Sequence, residues 1–281
     1  MRHSLYIYYE KGGEWSNISL LDVLDITSGY DKIDIIKDIS FKVEEGEFLC
    51  IIGPNGSGKS TLLKSLTKLL KPSKGSILFE GKDIYSFTTI EFSRRAAFVP
   101  PDISVSFSFR VEEIVSMGRN PYMNRFASLN DSDKKSIHEA MELTGIVSLK
   151  DRFIDELSTG ETQRVIIAQA IAQETDVIFL DEPTSHLDIG HQTEIFDLLK
   201  KLQKEKGRTI ILVSHDLNMA SEYSDNLILM ANGMLHSIGL PMDVLNYKAI
   251  EEVYNAVVVV RDNPMSGKPH VIPVSKLALK Q

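Results

Sequence analysis

Among 281 residues there is one cysteine, Cys50, so no disulfide can form within the chain, and a reducing compartment suits it. Cys50 falls inside the apolar run Phe48-Leu49-Cys50-Ile51-Ile52, where a buried, unreactive thiol is expected. No stretch approaches the ~20 consecutive apolar residues of a membrane helix. Met1 to Ser19 carries Glu10, Lys11 and Glu14 and lacks the apolar centre of a secretion signal. A soluble chain is therefore expected, with any membrane role exercised through a partner. Basic excess is missing too: 31 Lys and Arg stand against 39 Asp and Glu, a net charge of −8. That balance argues against a dedicated nucleic-acid binder. The seven histidines form no His-Glu-x-x-His or cysteine–histidine grouping, so no zinc site is expected. With 43% hydrophobic and 25% charged residues, the chain suits one large globular domain or a domain with an appended subdomain.

What is present is concentrated in Gly53-Pro54-Asn55-Gly56-Ser57-Gly58-Lys59-Ser60-Thr61. The stretch fits the G-x-x-x-x-G-K-[ST] phosphate-binding loop. Before it stands the apolar run 48–52, read as a buried strand; after it, Leu62, Leu63, Leu66, Leu69 and Leu70 recur at helical spacing. Glycines let the backbone wrap a polyphosphate that side chains would block. Loop amides and the helix N-terminus carry partial positive charge toward the anion. Lys59 is placed to reach the β and γ phosphates, and Ser60 to offer its hydroxyl to Mg²⁺.

The remaining chain reads as an α/β protein. Up to about Ser16 it is an extension whose Tyr6, Tyr8, Tyr9 and Trp15 pack on the body or on a partner. From Ile18 to Leu49 the pattern is strand-like, with turns expected at Ser28-Gly29 and Glu45-Gly46. Pro72 and Gly75 are expected to end the helix after the loop, and Ser76 to Phe79 forms a strand turning at Gly81. Residues 102–172 look like a helical insertion, with Asn130-Asp131-Ser132 as a helix start and Gly145 as an end. Val177 to Leu180 and Thr209 to Val213 read as parallel strands buried on both faces. Beyond Asn226 hairpins follow: Asn232-Gly233 is a strong two-residue turn, and 262–267 a longer one between 257–260 and 270–274.

Acids sit at the end of the first of these strands. Asp181 is placed to hold Mg²⁺ beside Ser60. Glu182 is placed to polarise a water for in-line attack on the γ phosphorus. Ser214-His215 ends the next strand, and ligand groups gather at such carboxyl ends. Leu157-Ser158-Thr159-Gly160-Glu161 begins a helical run. Ser158 and Glu161 have capping-box spacing, and a capped helix start is also an anion site.

Together these segments resemble the nucleotide-binding subunit of an ATP-binding-cassette (ABC) transporter, from about Ile18 to the C-terminus. The phosphate loop is Gly53–Thr61, the signature Leu157–Glu161 and the acidic strand end Val177–Glu182. The subunit-joining loop is Ser185-His186-Leu187-Asp188 and the switch histidine His215. The resemblance implies a phosphate-loop NTPase core with an antiparallel β subdomain and a helical insertion subdomain. It sets an extension at 1–17, the ATPase domain at 18–256 and a C-terminal β-hairpin extension at 257–281. It also implies ATP and Mg²⁺ as cofactors and a head-to-tail homodimer. In that pair Lys59, Ser60, Asp181, Glu182 and His215 of one subunit face Ser158 and Gly160 of the other across ATP. His215 is implied to contact the γ phosphate and help hold the attacking water. Tyr30 matches the aromatic that stacks on adenine. Partners implied are integral-membrane permease subunits, docked near residues 101–125, and indirectly an extracytoplasmic substrate-binding protein. The place implied is the cytoplasmic face of the cell membrane.

Met117-Gly118-Arg119-Asn120-Pro121-Tyr122, residues 214–220 and residues 263–269 further resemble importers of iron–siderophore, haem or cobalamin. Two departures stand out. Pro101 replaces the usual Mg²⁺-ligating glutamine; a proline side chain cannot ligate, and water or the adjacent Asp102 is the candidate substitute. Thr159 replaces a glycine, acceptable where that position is already helical. Two other functions compete: a soluble cassette ATPase acting on ribosomes or DNA, and a regulatory nucleotide-binding subunit of low turnover. The single phosphate loop, the absence of sustained heptads and the acidic balance disfavour the first. Pro101 and Thr159 lean toward the second.

Overall fold

The computed structural model describes residues 19–101, 108–123, 128–185 and 187–275. Its strands are β1 (Leu21–Tyr30), β2 (Ile33–Val43), β3 (Phe48–Ile52), β4 (Lys74–Phe79), β5 (Lys82–Asp83), β6 (Ala96–Val99), β7 (Val177–Asp181), β8 (Thr209–Val213), β9 (Asn226–Ala231), β10 (Met234–Gly239), β11 (Val258–Asp262) and β12 (Pro269–Pro273). Its α-helices are α1 (Lys59–Leu66), α2 (Thr89–Ser93), α3 (Val111–Ser116), α4 (Asp131–Leu143), α5 (Thr159–Ala172), α6 (Ile189–Lys206), α7 (Leu217–Tyr223), α8 (Pro241–Val244) and α9 (Tyr247–Tyr254).

A six-stranded sheet in the order β10-β9-β3-β8-β7-β6 is parallel except for β10 at its edge. A four-stranded antiparallel sheet, β2-β1-β4-β5, lies over one face, and β11 and β12 form a separate hairpin. The central strands are apolar throughout because both of their faces are covered. In β3, Leu49 and Ile51 join the core shared with the antiparallel sheet and α1, whereas Phe48, Cys50 and Ile52 join the core on the helical side. The same alternation divides Val177 and Phe179 from Ile178 and Leu180, and Ile211 and Val213 from Ile210 and Leu212, as the two-residue period of a strand requires. Cys50 is fully buried, which pushes its thiol above the ordinary cysteine value.

Register sets the site. Ile51 pairs with Val213, and Val213 with Asp181, so β3, β8 and β7 end level with one another. The loop after β3, Glu182 after β7 and His215 after β8 therefore leave the sheet at the same edge.

Two boundaries differ from expectation. β1 runs through Ser28 and Gly29, and the turn falls at Asp31 and Lys32, both with positive φ. Gly29 serves close approach: a Cβ there would stand 1.8 Å from the Ile33 carbonyl oxygen. α1 ends at Leu66, ahead of Pro72 and Gly75. Thr67 turns its hydroxyl back onto the Leu63 and Lys64 carbonyls, Lys68 takes φ 62°, and the Leu70 amide donates to the Lys64 carbonyl. This closes the helix in the manner of a left-handed C-terminal cap, leaving Leu69 61% exposed.

Candidate functional site

The loop is laid on the turn between β9 and β10. The Gly233 amide donates to the Ser57 carbonyl, while the Gly233 carbonyl accepts from the Lys37 amide of β2. Gly58 has φ 98°, and a Cβ there would stand 2.5 Å from Ile36 Cγ2, so both conformation and space demand glycine. α1 begins with no side-chain cap and no acid in its first turn. Its first amides are thus left for an external anion, with the helix dipole behind them.

Lys59 is 4% exposed, and its ammonium donates to the Gly53 carbonyl at 2.8 Å and the Pro54 carbonyl at 3.1 Å. Burial lowers its pKa from the ordinary lysine value, opposed by the charges of Glu182 and Asp181. Ser60 Oγ donates to Asp181 Oδ1 at 3.0 Å, and Asp181 Oδ2 is buried without a partner among the described residues. Burial raises the Asp181 pKa. A hydroxyl beside a carboxylate with one oxygen unsatisfied is a hard-oxygen donor set that fits Mg²⁺. Among the described residues no group of three His, Cys, Asp or Glu forms a dedicated metal cage; Mg²⁺ in nucleotide sites relies on phosphates and water for its other ligands.

Glu182 sits in the left-handed region at φ 51°, its amide donating to the Val213 carbonyl at 3.1 Å. A non-glycine residue there costs on the order of 1–3 kcal/mol, and such strain gathers at functional sites. Its carboxylate Oε2 meets His215 Nε2 at 2.5 Å. Lys59, Ser60, Asp181, Glu182 and His215 thus come together at one sheet edge, with Gly53 to Thr61 as the floor.

Ser158 and Gly160 stand apart, at the start of α5. Ser158 caps the helix: its Oγ accepts from the Glu161 amide at 3.3 Å, and Glu161 Oε2 accepts from the Ser158 amide at 2.9 Å. Thr159 is the first helical residue, and its φ is not positive. Tyr30 ends β1 with 46% of its surface open, free to present its ring. Pro101 lies just beyond β6, while Asp102 and His186 fall outside the described residues.

His191 adds a contact that no motif announces. On the first turn of α6, it bonds Asp188 Oδ2 through Nδ1 at 2.9 Å and lies against Gly160, where a Cβ would come within 3.1 Å of its ring. Arg164 and Glu194 join the same two helices at 3.0 Å. The spacing Asp188-x-x-His191 at a helix start is the local signal that could have pointed to it.

A family model described as ABC transporter matches residues 36–185. The chain belongs to this family. Ferric enterobactin transport ATP-binding protein FepC of Escherichia coli (strain K12) is 37% identical over 253 residues, covering 90% of this chain and 93% of that one. Iron(3+)-hydroxamate import ATP-binding protein FhuC of Bacillus subtilis (strain 168) is 37% identical over 241 residues, 86% of this chain and 90% of that one. Among solved structures, an inward-facing ABC transporter described as of metal-chelate type superposes with a TM-score of 0.81 at 27% identity, covering 93% of this chain and 99% of that one. The cbiO1 cassette of Clostridium perfringens, part of the transporter complex cbiONQ, gives a TM-score of 0.74 at 34% identity over 85% of this chain and 95% of that one. This ABC chain is an ATP-binding subunit whose ATP hydrolysis is coupled to transport. Among the described residues no helix is long and apolar enough to cross a membrane.

Proposed function

We propose that the chain hydrolyses Mg²⁺-bound ATP at the Gly53–Thr61 loop and thereby drives import of a ferric-siderophore or cobalamin type chelate through separate membrane subunits. The observation that carries the ATPase chemistry is the convergence of Lys59, Ser60, Asp181, Glu182 and His215 where β3, β7 and β8 end together. Lys59 exchanges its two loop carbonyls for phosphate oxygens when nucleotide enters. Ser60 and Asp181 would hold Mg²⁺, which would supply neutralisation of the phosphate charge. Glu182 orients the attacking water and receives its proton as the bond from phosphorus to the leaving ADP oxygen breaks. His215, bonded to Glu182, fixes that carboxylate and contacts the γ phosphate. Tyr30 stacks on adenine. Ser158 and Gly160 complete the site from a second copy of the chain, with the capped start of α5 turned to the γ phosphate.

Cargo rests on the relatives. Those at 36–37% identity that cover nine-tenths of this chain bear names for ferric enterobactin, achromobactin, petrobactin and cobalamin transport. On this reading the subunit works at the cytoplasmic face of a membrane, bound to permease subunits fed by an extracytoplasmic binding protein.

The test is reconstitution in vesicles with the membrane subunits that co-purify with it. ATP-dependent uptake of ferric siderophore or cobalamin is expected. Glu182→Gln should lower phosphate release by about 10²–10⁴-fold with ATP binding retained. ATP hydrolysis without uptake of either chelate class rejects the cargo; full turnover in Glu182→Gln rejects the role given to that carboxylate.

A further inference from the structure

Residues 218–224 and 263–271, which lie far apart in the chain, form the two halves of one fastening. α7 starts immediately after Asp216 and packs along β12. Asn218, in its first turn, makes a two-point bond to Val271 of β12: the Val271 amide donates to Asn218 Oδ1 at 2.8 Å, and Asn218 Nδ2 donates to the Val271 carbonyl at 3.3 Å. Farther along, Ser221 Oγ donates to the Pro269 carbonyl at 2.6 Å, and Glu222 Oε2 accepts from Ser266 Oγ at 2.7 Å and Asn263 Nδ2 at 3.3 Å. Lys268 Nζ reaches the Ser224 carbonyl at 3.1 Å. The hairpin β11–β12 therefore grips α7 along its whole length.

The grip matters because packing holds the start of α7 only in part: Leu217 and Met219 lie partly buried against the core. A cleft of about 480 Å³ opens there, bordered by His215, Leu217 and Asn218 on one side and by Tyr254, Val258 and Val271 on the other. An open space beside a helix end supplies no contacts to resist its displacement. Directional hydrogen bonds supply that resistance. From Asn218 the path to the site is short. Asp216 caps α7, its Oδ1 accepting from the amides of Asn218 and Met219 at 2.9 Å, and Ser214 Oγ accepts from the Asp216 amide at 3.0 Å. His215 lies between these two residues, with Nε2 2.5 Å from Glu182.

We infer that Asn218 is a positioning residue for ATP hydrolysis, holding His215 against Glu182 by anchoring the start of α7 to the backbone of Val271. The inference rests on the reading of His215 and Glu182 as the hydrolytic pair. A displacement on the order of 1 Å at such a group costs about 10²-fold in rate; loss of one anchor among several should cost about tenfold.

The test is a double-mutant cycle on the full-length subunit, with phosphate release measured against ATP concentration. Asn218→Ala is expected to lower kcat about tenfold and leave KM for ATP within about twofold, because the loop and Tyr30 are untouched. Asn218→Asp keeps the acceptor for the Val271 amide and should recover kcat to within about threefold of the parent. Added to His215→Ala, Asn218→Ala should cost nothing further, since both act through the same side chain. Multiplying losses in the double variant, an unchanged kcat in Asn218→Ala, or an aspartate variant no better than alanine overturns the inference. So does a loss of kcat in step with a raised KM and a lowered melting temperature, which marks a purely structural role. If Asn218→Ala does not fold, the cycle of the similarly shaped Asn218→Leu, which also lacks both bonds to Val271, with His215→Ala decides in the same way. Full activity in His215→Ala alone instead overturns the site reading on which the inference stands.

Discussion

Gly58 shows how much one backbone angle carries. Its φ of 98° and the 2.5 Å that would separate a Cβ from Ile36 act against any side chain. Gly58→Ala should cost roughly 2–5 kcal/mol, the sum of a left-handed penalty and overpacking. It should also weaken ATP binding, because relieving the clash turns the loop amides away from the phosphate. Chemical denaturation and nucleotide titration check both; a variant with parental affinity would show that the amides tolerate the shift. Ser60→Ala makes a second case. It removes the hydroxyl bonded to Asp181 Oδ1 and leaves a carboxylate whose other oxygen is already bare among the described residues. Mg²⁺-dependent ATP affinity should fall more than affinity measured with EDTA, and equal losses in the two conditions would reject Ser60 as a metal ligand. These residues are legible in the sequence because a loop of nine consecutive residues spells its own geometry. Asp181 and Glu182 are legible for a related reason, standing at the end of an apolar strand. The bond between Glu182 and His215 depends on strands meeting in space, and no local spacing announces it; the spacing Asp188-x-x-His191 marks a helix start, but the contact of His191 with Gly160 arises only where two helices pack.

At the scale of elements, the helical region is pinned by a charge that the sequence presents only as part of a motif. Arg119 is 5% exposed. It donates from Nε to Asp133 Oδ1 at 2.9 Å and from one terminal nitrogen to the Ala172 carbonyl at 2.8 Å and Glu174 Oε2 at 2.7 Å. It thereby ties the first turn of α4 to the end of α5. Arg119→Leu leaves Asp133 buried without its cation and should destabilise the fold by about 3–5 kcal/mol. Burial raises the Asp133 pKa, but the hydrogen bond from Arg119, the Asn130 amide and the Arg119 charge outweigh it, and the carboxyl ends below its ordinary value. A depressed folded value means stability that is present above about pH 4, the unfolded aspartate range, and lost as pH falls through the folded value. The parent should therefore lose stability in acid through this pair, and the Arg119→Leu variant should show a shallower acid limb in denaturant midpoints; equal slopes would remove the pair from the account. Elements are less legible than residues where tertiary demands decide their termination. A left-handed Lys68 closes α1 at Leu66, ahead of the stop that Pro72 and Gly75 suggest. Gly29 similarly reads as a turn residue in isolation, and only the approach of the Ile33 carbonyl explains its place inside β1.

At the scale of the molecule, the proposed mechanism gives one chain only half a site. The cluster at the ends of β3, β7 and β8 and the capped start of α5 are separate features of one chain. On that reading the signature residues gain a role in hydrolysis only when a second copy brings them to the first copy's nucleotide. The net charge of −8 makes two copies repel weakly, and on the same reading ATP bridging them offsets that repulsion. Ligand binding to one chain alone should stabilise it by about 2.7 kcal/mol at 100 times Kd, whatever the protein concentration. Pairing adds a dependence on protein concentration. In Glu182→Gln, where bound ATP persists, a large rise in protein concentration should raise the melting temperature with ATP and Mg²⁺ present and leave it unchanged without nucleotide. Light scattering under the same conditions should report twice the mass of the 281-residue chain. Ser158→Arg, which places a bulky cation at the tip of α5, should abolish the concentration dependence while keeping the nucleotide-induced rise itself, because its own loop still binds ATP. A melting temperature independent of protein concentration in Glu182→Gln, with ATP demonstrably bound, would mean that each chain holds its nucleotide alone.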